Sequence, residues 1–182
     1  ELLSSQVERC NQILKKLSLN PNEEDDFIDE DLSIKDYLKE IISSFKETSN
    51  KDFILNFDQD SNSKKITKSI EVVYGLRNFI GNANKYSSSK IFITLKSDNK
   101  STEVIIEDDG DGYPNDILSK IGEPYLRSFN KKDSSKTGLG LGIFIGKNLL
   151  EKNFASVVCK NSKTRNGAEI IIKWENKDLS KI

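Results

Sequence analysis

The chain has 182 residues, 35% of them hydrophobic and 31% charged, with 28 basic against 29 acidic side chains and a formal net charge of −1. That balance lacks the basic excess of a general nucleic-acid binder, and no apolar run approaches the ~20 residues of a helical membrane span. No histidine occurs, which excludes Ser-His nucleophilic chemistry and His-ligated metals. The two cysteines, Cys10 and Cys159, fit neither a disulfide framework nor a zinc spacing and point to a reducing compartment.

The first stretch, ELLSSQVERCNQILKKLS, places Leu3, Val7, Cys10, Leu14 and Leu17 at alternating spacings of four and three, the stripe of a helix that seeks a partner helix. The stripe is in phase from residue 1, and the sequence shows no signal-peptide pattern and no methionine, so it reads as part of something longer. Residues 1–19 are expected to form this helix, and the acidic run NPNEEDDFIDED predicts a solvated linker over 20–31. A globular domain is expected over 32–177, with 178–182 as a tail.

Within that domain, Ser33 followed by Asp36 resembles a capping box. Ile34, Tyr37, Leu38, Ile41, Ile42 and Phe45 give the helix that follows a wide apolar face. DFILNF reads as a strand and SNSKK as a turn. TKSIEVVYGLRNFIGNANKYS is a second helix, and KIFITLKS and TEVIIED are strands joined in a hairpin by DNKS. PNDILSKIG predicts a short helix ending at Gly122, RSFNKKDSSKTG a polar loop, and GIFIGKNLLEKN a third long helix. SVVCKN and AEIIIKW close the domain as a hairpin around SKTRNG. Helices and mostly hairpin-linked strands, one layer of each, predict an α+β two-layer sandwich.

Chemistry gathers in four places. In EDDGDGY, Asp108 leaves a strand and Gly110 and Gly112 allow close approach of the backbone to a ligand. A buried acid there can accept a hydrogen bond from an exocyclic amine, although an acidic turn or a calcium loop is the alternative. The calcium loop requires a glutamate at its twelfth position, where counting from Asp108 gives Ser119. In TGLGLGIFI, Gly138, Gly140 and Gly142 run into a helix whose free N–H groups favour phosphate. The strand that a dinucleotide fold places before such glycines is missing, as is a P-loop's Gly-Lys-Ser/Thr, so a different phosphate cradle or a flexible helix entry remains.

In GLRNFIGNANKY, Asn78 and Asn82 lie four apart and share a face beside the core stripe of Leu76, Phe79, Ile80 and Ala83. An amide oxygen ligates Mg²⁺ without adding charge, Lys85 can neutralise phosphate and Tyr86 can cover a ring or ribose, whereas each residue alone also reads as a solvated helix position. In GEPYLRSFN, Pro124 and Tyr125 can pin the base of the loop, with Arg127 in reach of phosphate.

Taken in order, LRNFIGNANKY, EDDGDGY, EPYLRSF, TGLGLGIFI and NGAEIIIKW resemble the N, G1, F, G2 and final glycine boxes of histidine kinase catalytic domains, members of the gyrase/Hsp90/histidine kinase/MutL ATP-binding superfamily. The resemblance spans about residues 32 to 175, and VERCNQILKKLS with GEPYLRSFN is similar to the RegB/PrrB redox-responsive branch. It implies a Bergerat-type fold and a cytoplasmic domain of a sensor kinase anchored in a bacterial inner membrane. It also implies ATP and Mg²⁺ as cofactors.

Asp108 would accept from the adenine amino group beside Gly110 and Gly112, Asn82 would ligate Mg²⁺ with Asn78 beside it, Lys85 would contact phosphate and Tyr86 the ribose or base. Arg127, Lys136, Thr137, Gly138, Leu139, Gly140, Leu141 and Gly142 would line the phosphate path, with 128–137 as an ATP lid. Partners would be the upstream phosphoacceptor helix, a second protomer and a response regulator, with neither nucleic acid nor membrane touching this segment.

In the gyrase, Hsp90 and MutL branches a glutamate one turn before the metal asparagine activates water; that place here is Asn78, and an amide is no general base. Phosphoryl transfer is therefore expected over hydrolysis, with Asn78 and Lys85 as the catalytic pair. The acceptor histidine must come from outside this sequence. Cys10 reads from spacing as a small core residue; the RegB-like resemblance instead implies a redox-active thiol facing its counterpart across a dimer. An ATP-dependent clamp of the Hsp90 or MutL type is disfavoured by Asn78 and by the heptad leader, and a non-catalytic nucleotide-binding regulator by the intact boxes.

Overall fold

The computed structural model describes residues 32–58, 69–124, 141–179 and 181–182. The chain divides into two compact units, Glu1–Glu30 and Asp31–Ile182. The heptad helix, Cys10 and the acidic linker lie outside the described residues, as do SNSKK, Arg127, Lys136, Thr137, Gly138, Leu139 and Gly140.

The second unit runs α1 (Ile34–Lys46), β1 (Asp52–Phe57), α2 (Ile70–Tyr86), β2 (Lys90–Ser97), β3 (Ser101–Asp108), α3 (Asn115–Leu118), α4 (Gly142–Lys152), β4 (Ser156–Asn161), β5 (Ala168–Glu175) and α5 (Asn176–Leu179). Both α1 and α2 start on a serine cap. Ser33 Oγ accepts from Asp36 N at 3.3 Å while Ser33 N donates to Asp36 Oδ2 at 3.1 Å, a complete capping box. Ser69 Oγ accepts from Val72 N at 3.3 Å.

The five strands form one sheet in the order β1-β2-β3-β5-β4. β1 and β2 are parallel, with α2 in the crossover between them; the other three pairs are antiparallel. Strand alternation turns one row of side chains toward the helices: Ile91, Ile93 and Leu95 of β2, Val104 and Ile106 of β3, and Ile170, Ile172 and Trp174 of β5. Ile34, Tyr37, Leu38, Ile41 and Ile42 of α1 and Val72, Leu76, Phe79, Ile80 and Ala83 of α2 complete the core from the helical layer. This is the α+β two-layer sandwich expected from the sequence, with one sheet face covered by helices.

Two local expectations differ from the structure. The helix after Pro114 is a single turn, Asn115–Leu118, rather than one reaching Gly122. It has no side-chain cap, and the chain leaves it through tight turns in which Lys120 N donates to Ile117 O and Glu123 N to Lys120 O. Gly122 then adopts a φ of 99°, in the left-handed region that stops helices. Of the segment read as a tail, 178–182, Leu179 instead packs into the core of the domain. Asn176 bridges the β2–β3 hairpin by accepting from Thr102 Oγ1 at 2.8 Å and donating to Asp98 O at 2.6 Å.

Candidate functional site

The wall begins at the end of β3. Alternation that buries Thr102, Val104 and Ile106 also buries Asp108, leaving it 2% exposed. Its Oδ1 accepts from Gly110 N at 2.8 Å and from Ala168 N at 3.3 Å, and no described protein donor reaches Oδ2. Burial raises the carboxyl above its ordinary pKa; the two N–H groups counter this in part, and the neighbouring Asp109 charge adds to the rise. Asp108 is thus a fixed acceptor with one oxygen engaged by the backbone and the other without a donor among the described residues.

Glycine is required around it. A β-carbon at Gly167 would collide with the backbone oxygen and Oδ1 of Asp108, and one at Gly110 would collide with the carbonyl oxygen of Tyr86. Gly112 has a φ of 72°, and an added methyl would sit 2.8 Å from Asn161 Oδ1. Asn161, at the end of β4, clasps the next residue at both backbone groups: its Oδ1 accepts from Tyr113 N at 2.6 Å and its Nδ2 donates to Tyr113 O at 3.0 Å. One side chain thus acts as a strand rung for the glycine loop. The buried Tyr113 hydroxyl neighbours Cys159; burial first, then the Cys159 and Asp108 charges, push its pKa up. Burial likewise pushes the Cys159 thiol up to about 11, only partly offset by Lys147, which disfavours its thiolate, and the half-buried side chain packs against the core.

The second face of the site is α2. Its apolar stripe seats the helix on the sheet, which leaves Asn78 and Asn82 half-buried on the adjacent face and Lys85 and Tyr86 exposed at its end. Asn78 Nδ2 donates to Tyr74 O at 2.9 Å, holding that amide along the helix. Lys85 Nζ lies 5.2 Å from the centre of the Tyr86 ring. The helix start at Gly142 comes against Asn82: a methyl added at Gly142 would be 3.2 Å from Asn82 Nδ2 and 3.3 Å from Oδ1.

A close helix crossing sets this meeting. A β-carbon at Gly146 of α4 would approach Gly75 O to 3.3 Å, and one at Gly75 of α2 would approach Gly146 O to 3.3 Å. The α4 N-terminus opens on Leu141 with no side-chain cap among the described residues and no acid in its first turn, a helix start whose dipole favours an anion.

Asp108, Gly110, Gly112, Asn78, Asn82, Lys85, Tyr86, Leu141 and Gly142 therefore fall on adjoining elements around the C-terminal ends of β3 and α2 and the start of α4. Among the described residues no cluster of three or more His, Cys, Asp or Glu side chains could cage a metal. The donor set suits Mg²⁺, which typically takes one or two protein ligands and fills its shell with water and substrate phosphate. Asn82 supplies one neutral oxygen beside a backbone with no side chain in the way. The sequence assigns no role to Asp109 or Asn161, whose partners lie far along the chain, whereas Gly167 falls in NGAEIIIKW, the stretch that resembles the final glycine box.

A mixed five-stranded sheet covered on one face by helices, with an acid-and-glycine loop facing an amide-bearing helix, defines a nucleotide-binding sandwich. The family model described as Histidine kinase-, DNA gyrase B-, and HSP90-like ATPase matches residues 67–178, more than half of the chain, and the chain belongs to this family. It is 30% identical over 170 residues to the sensor histidine kinase RegB of Cereibacter sphaeroides, covering 89% of this chain and 36% of that protein. Sporulation kinase A of Bacillus subtilis is 24% identical over 186 residues, covering 97% of this chain and 29% of the relative. The chain thus spans about a third of the length of these two kinases. Among solved structures, the mycobacterial sensor histidine kinase MprB superposes with a TM-score of 0.66 at 19% identity, covering 80% of this chain and 97% of that one. A nucleotide-free catalytic domain of histidine kinase ThkA gives a TM-score of 0.65 at 21% identity, covering 80% and 95%. These likenesses establish the sandwich as that of histidine kinase catalytic domains.

Proposed function

We propose that this chain is the ATP-binding catalytic domain of a sensor histidine kinase, transferring the γ-phosphoryl group of ATP to a histidine carried outside this sequence. The observation that supports it best is the buried Asp108 carboxylate, held on Oδ1 with no described donor on Oδ2, beside a helix whose Asn82 abuts a glycine helix start without a described side-chain cap. Asp108 Oδ2 accepts from the exocyclic amine of adenine, and Gly110 and Gly112 let the base lie against backbone. Asn82 holds Mg²⁺ through its amide oxygen. The ion, when bound, neutralises charge on the phosphates and orients them. Lys85 contacts phosphate and Tyr86 covers the ribose or base. The N–H groups at the start of α4, with Leu141 and Gly142, take phosphate oxygens, and Arg127 and the stretch from Lys136 through Thr137, Gly138, Leu139 and Gly140 would complete that path.

Asn78 carries no proton-accepting group suited to water, so the site aligns a phosphoryl donor without activating a hydrolytic nucleophile. The sequence contains no histidine, so an acceptor helix, the second protomer of a homodimer and a response regulator are the partners this reading requires. Membrane anchoring of the parent protein and redox control through Cys10 belong to the same reading. Cys10→Ala and wild type should migrate differently on a nonreducing gel after oxidation, and identical migration would remove the redox element.

The function itself is tested by mixing this chain and γ-labelled ATP with a longer form of the protein that carries the acceptor helix but has Asp108→Ala. Phosphohistidine should appear on the longer form only. Label on this chain alone, or ATP hydrolysis with no label on the acceptor, would contradict the proposal.

A further inference from the structure

Asp109, which the sequence left without a role, is the most heavily hydrogen-bonded carboxylate near the site. Its Oδ1 accepts from Ser88 N at 2.8 Å, Ser89 N at 2.9 Å and Lys90 N at 3.0 Å. Oδ2 accepts from Ser89 Oγ at 2.7 Å and also faces Ser89 N at 3.2 Å. Its own backbone N donates to Lys90 O at 3.3 Å. Residues 87–89 are the whole connection from the end of α2 to β2, so one side chain at the end of β3 gathers three successive N–H groups, two from this turn and one from Lys90 at the start of β2. Convergent backbone N–H groups of this kind bind anions. Burial alone would raise the Asp109 pKa, but donation from Lys90, Ser89 and Ser88 outweighs it and holds the carboxyl at about 2, so these bonds are charge-assisted at any working pH.

We propose that Asp109 is a positioning residue that fixes the span between the base-reading wall at Asp108 and the metal- and phosphate-facing end of α2. The inference rests on the nucleotide reading above. Asp109 follows Asp108 directly and precedes Gly110, whose missing side chain lets the Tyr86 carbonyl pack against the loop. The α2 end is thereby tied to the β3 end within one residue of the group that would read the base. Asn82 lies one helical turn before Tyr86, so a shift of the α2 end moves the metal ligand relative to Asp108. A ligand that touches both ends at once, a magnesium-loaded adenine nucleotide, senses that span. The free base, which touches only the wall, does not.

The turn is exposed, and the N–H groups released by removing the carboxylate can bond to water. The fold therefore has little reason to fail. Other ties to the turn persist as well: Asp52 N donates to Ser89 O at 2.9 Å and Lys51 Nζ to Ser87 O at 3.1 Å.

The test compares wild type, Asp109→Ala and Asp109→Asn for two probes: Mg·AMP-PNP by calorimetry and adenine by ligand-observed NMR. Asp109→Ala should weaken Mg·AMP-PNP about tenfold while leaving adenine within about twofold. Asp109→Asn keeps an oxygen that can accept from the same N–H groups, and should recover Mg·AMP-PNP to within about threefold of wild type. Equal loss for both probes, or none for either, would overturn the positioning role, since general loosening of the loop moves both alike. Should Asp109→Ala not fold, Asp109→Ser makes the same comparison. Failure of wild type to bind Mg·AMP-PNP marks the nucleotide reading itself as wrong and takes this inference with it, whereas binding by wild type with no selective loss in the variant isolates the error to Asp109.

Discussion

Gly75→Ala sets two physical effects against each other inside α2. In a helix interior, alanine is favoured over glycine by about 0.5–1 kcal/mol, so an isolated helix would gain. Here the added methyl would lie 2.6 Å from Leu150 Cγ and 2.7 Å from its Cδ2, with Gly146 O at 3.3 Å. Leu150 is fully buried, and Cγ is its branch point rather than a flexible end, so relief requires the side chain to re-seat or α4 to move away. Overpacking of this kind costs about 1–3 kcal/mol. The net expectation is a loss of up to about 2.5 kcal/mol, or up to roughly 10 °C in Tm for a domain of this size.

Because the same crossing sets Gly142 against Asn82, MgATP affinity should fall further than stability alone explains. Thermal melts and calorimetry on Gly75→Ala, Leu150→Ala and the double variant measure both effects. The double variant should be less destabilised than the sum of the singles, because the smaller side chain at 150 makes room for the new methyl. A higher Tm in Gly75→Ala, with MgATP binding unchanged, would refute the reasoning that packing at this crossing, rather than helix propensity, governs the position.

Phe154, the residue after the Asn153 cap of α4, has a φ of 62°, a conformation unfavourable for a bulky L-residue, and is 51% exposed. Phe154→Gly should therefore raise stability by about 1 kcal/mol, read as a higher denaturation midpoint at an unchanged m-value; an equal or lower midpoint would show that contacts such as the Lys181 ammonium over its ring outweigh the strain. Asp108 has a pKa raised chiefly by burial, so the folded state holds its proton more tightly than the unfolded chain and the ionised form costs stability. That cost is absent at low pH and appears as pH rises through the carboxylate range. Asp108→Asn should accordingly be more thermostable than wild type at neutral pH, with the advantage fading as the solution is acidified. The same variant should bind ATP about 10- to 150-fold more weakly, since a charge-assisted hydrogen bond worth about 1.5–3 kcal/mol is replaced by an amide that can turn a donor toward the base. A Tm advantage that persists unchanged at low pH would assign it to some other cause.

How much of this was legible beforehand depends on how far each signal reaches along the chain. The Ser33–Asp36 capping box and the α1 apolar face rest on neighbours within a few turns, and the structure forms both. The β2–β3 hairpin and the β4–β5 hairpin follow from alternation and turn residues for the same reason. The amide face of α2 was visible because the core stripe of Leu76, Phe79 and Ile80 fixes which side is left over. The single turn at Asn115–Leu118 was overread, since an apolar spacing of Ile117, Leu118 and Ile121 does not reveal that the chain closes into tight turns there. Leu179 went unseen because NKDL carries no periodicity, and its burial depends on Asn176 meeting a hairpin more than seventy positions earlier.

Asp109 and Asn161 were missed for that reason as well. Their partners lie 19 to 21 and 48 positions away, and only the sheet brings them together. The parallel pairing of β1 with β2 is likewise a property of the crossover rather than of either strand.

Titration calorimetry of ATP into the chain, with and without Mg²⁺, for wild type and Asp108→Ala, bears most directly on the central claim. Saturable heat that strengthens with magnesium in wild type and disappears in the variant is the predicted result. Heat that is indifferent to magnesium, or that survives loss of the Asp108 carboxylate, would contradict the account.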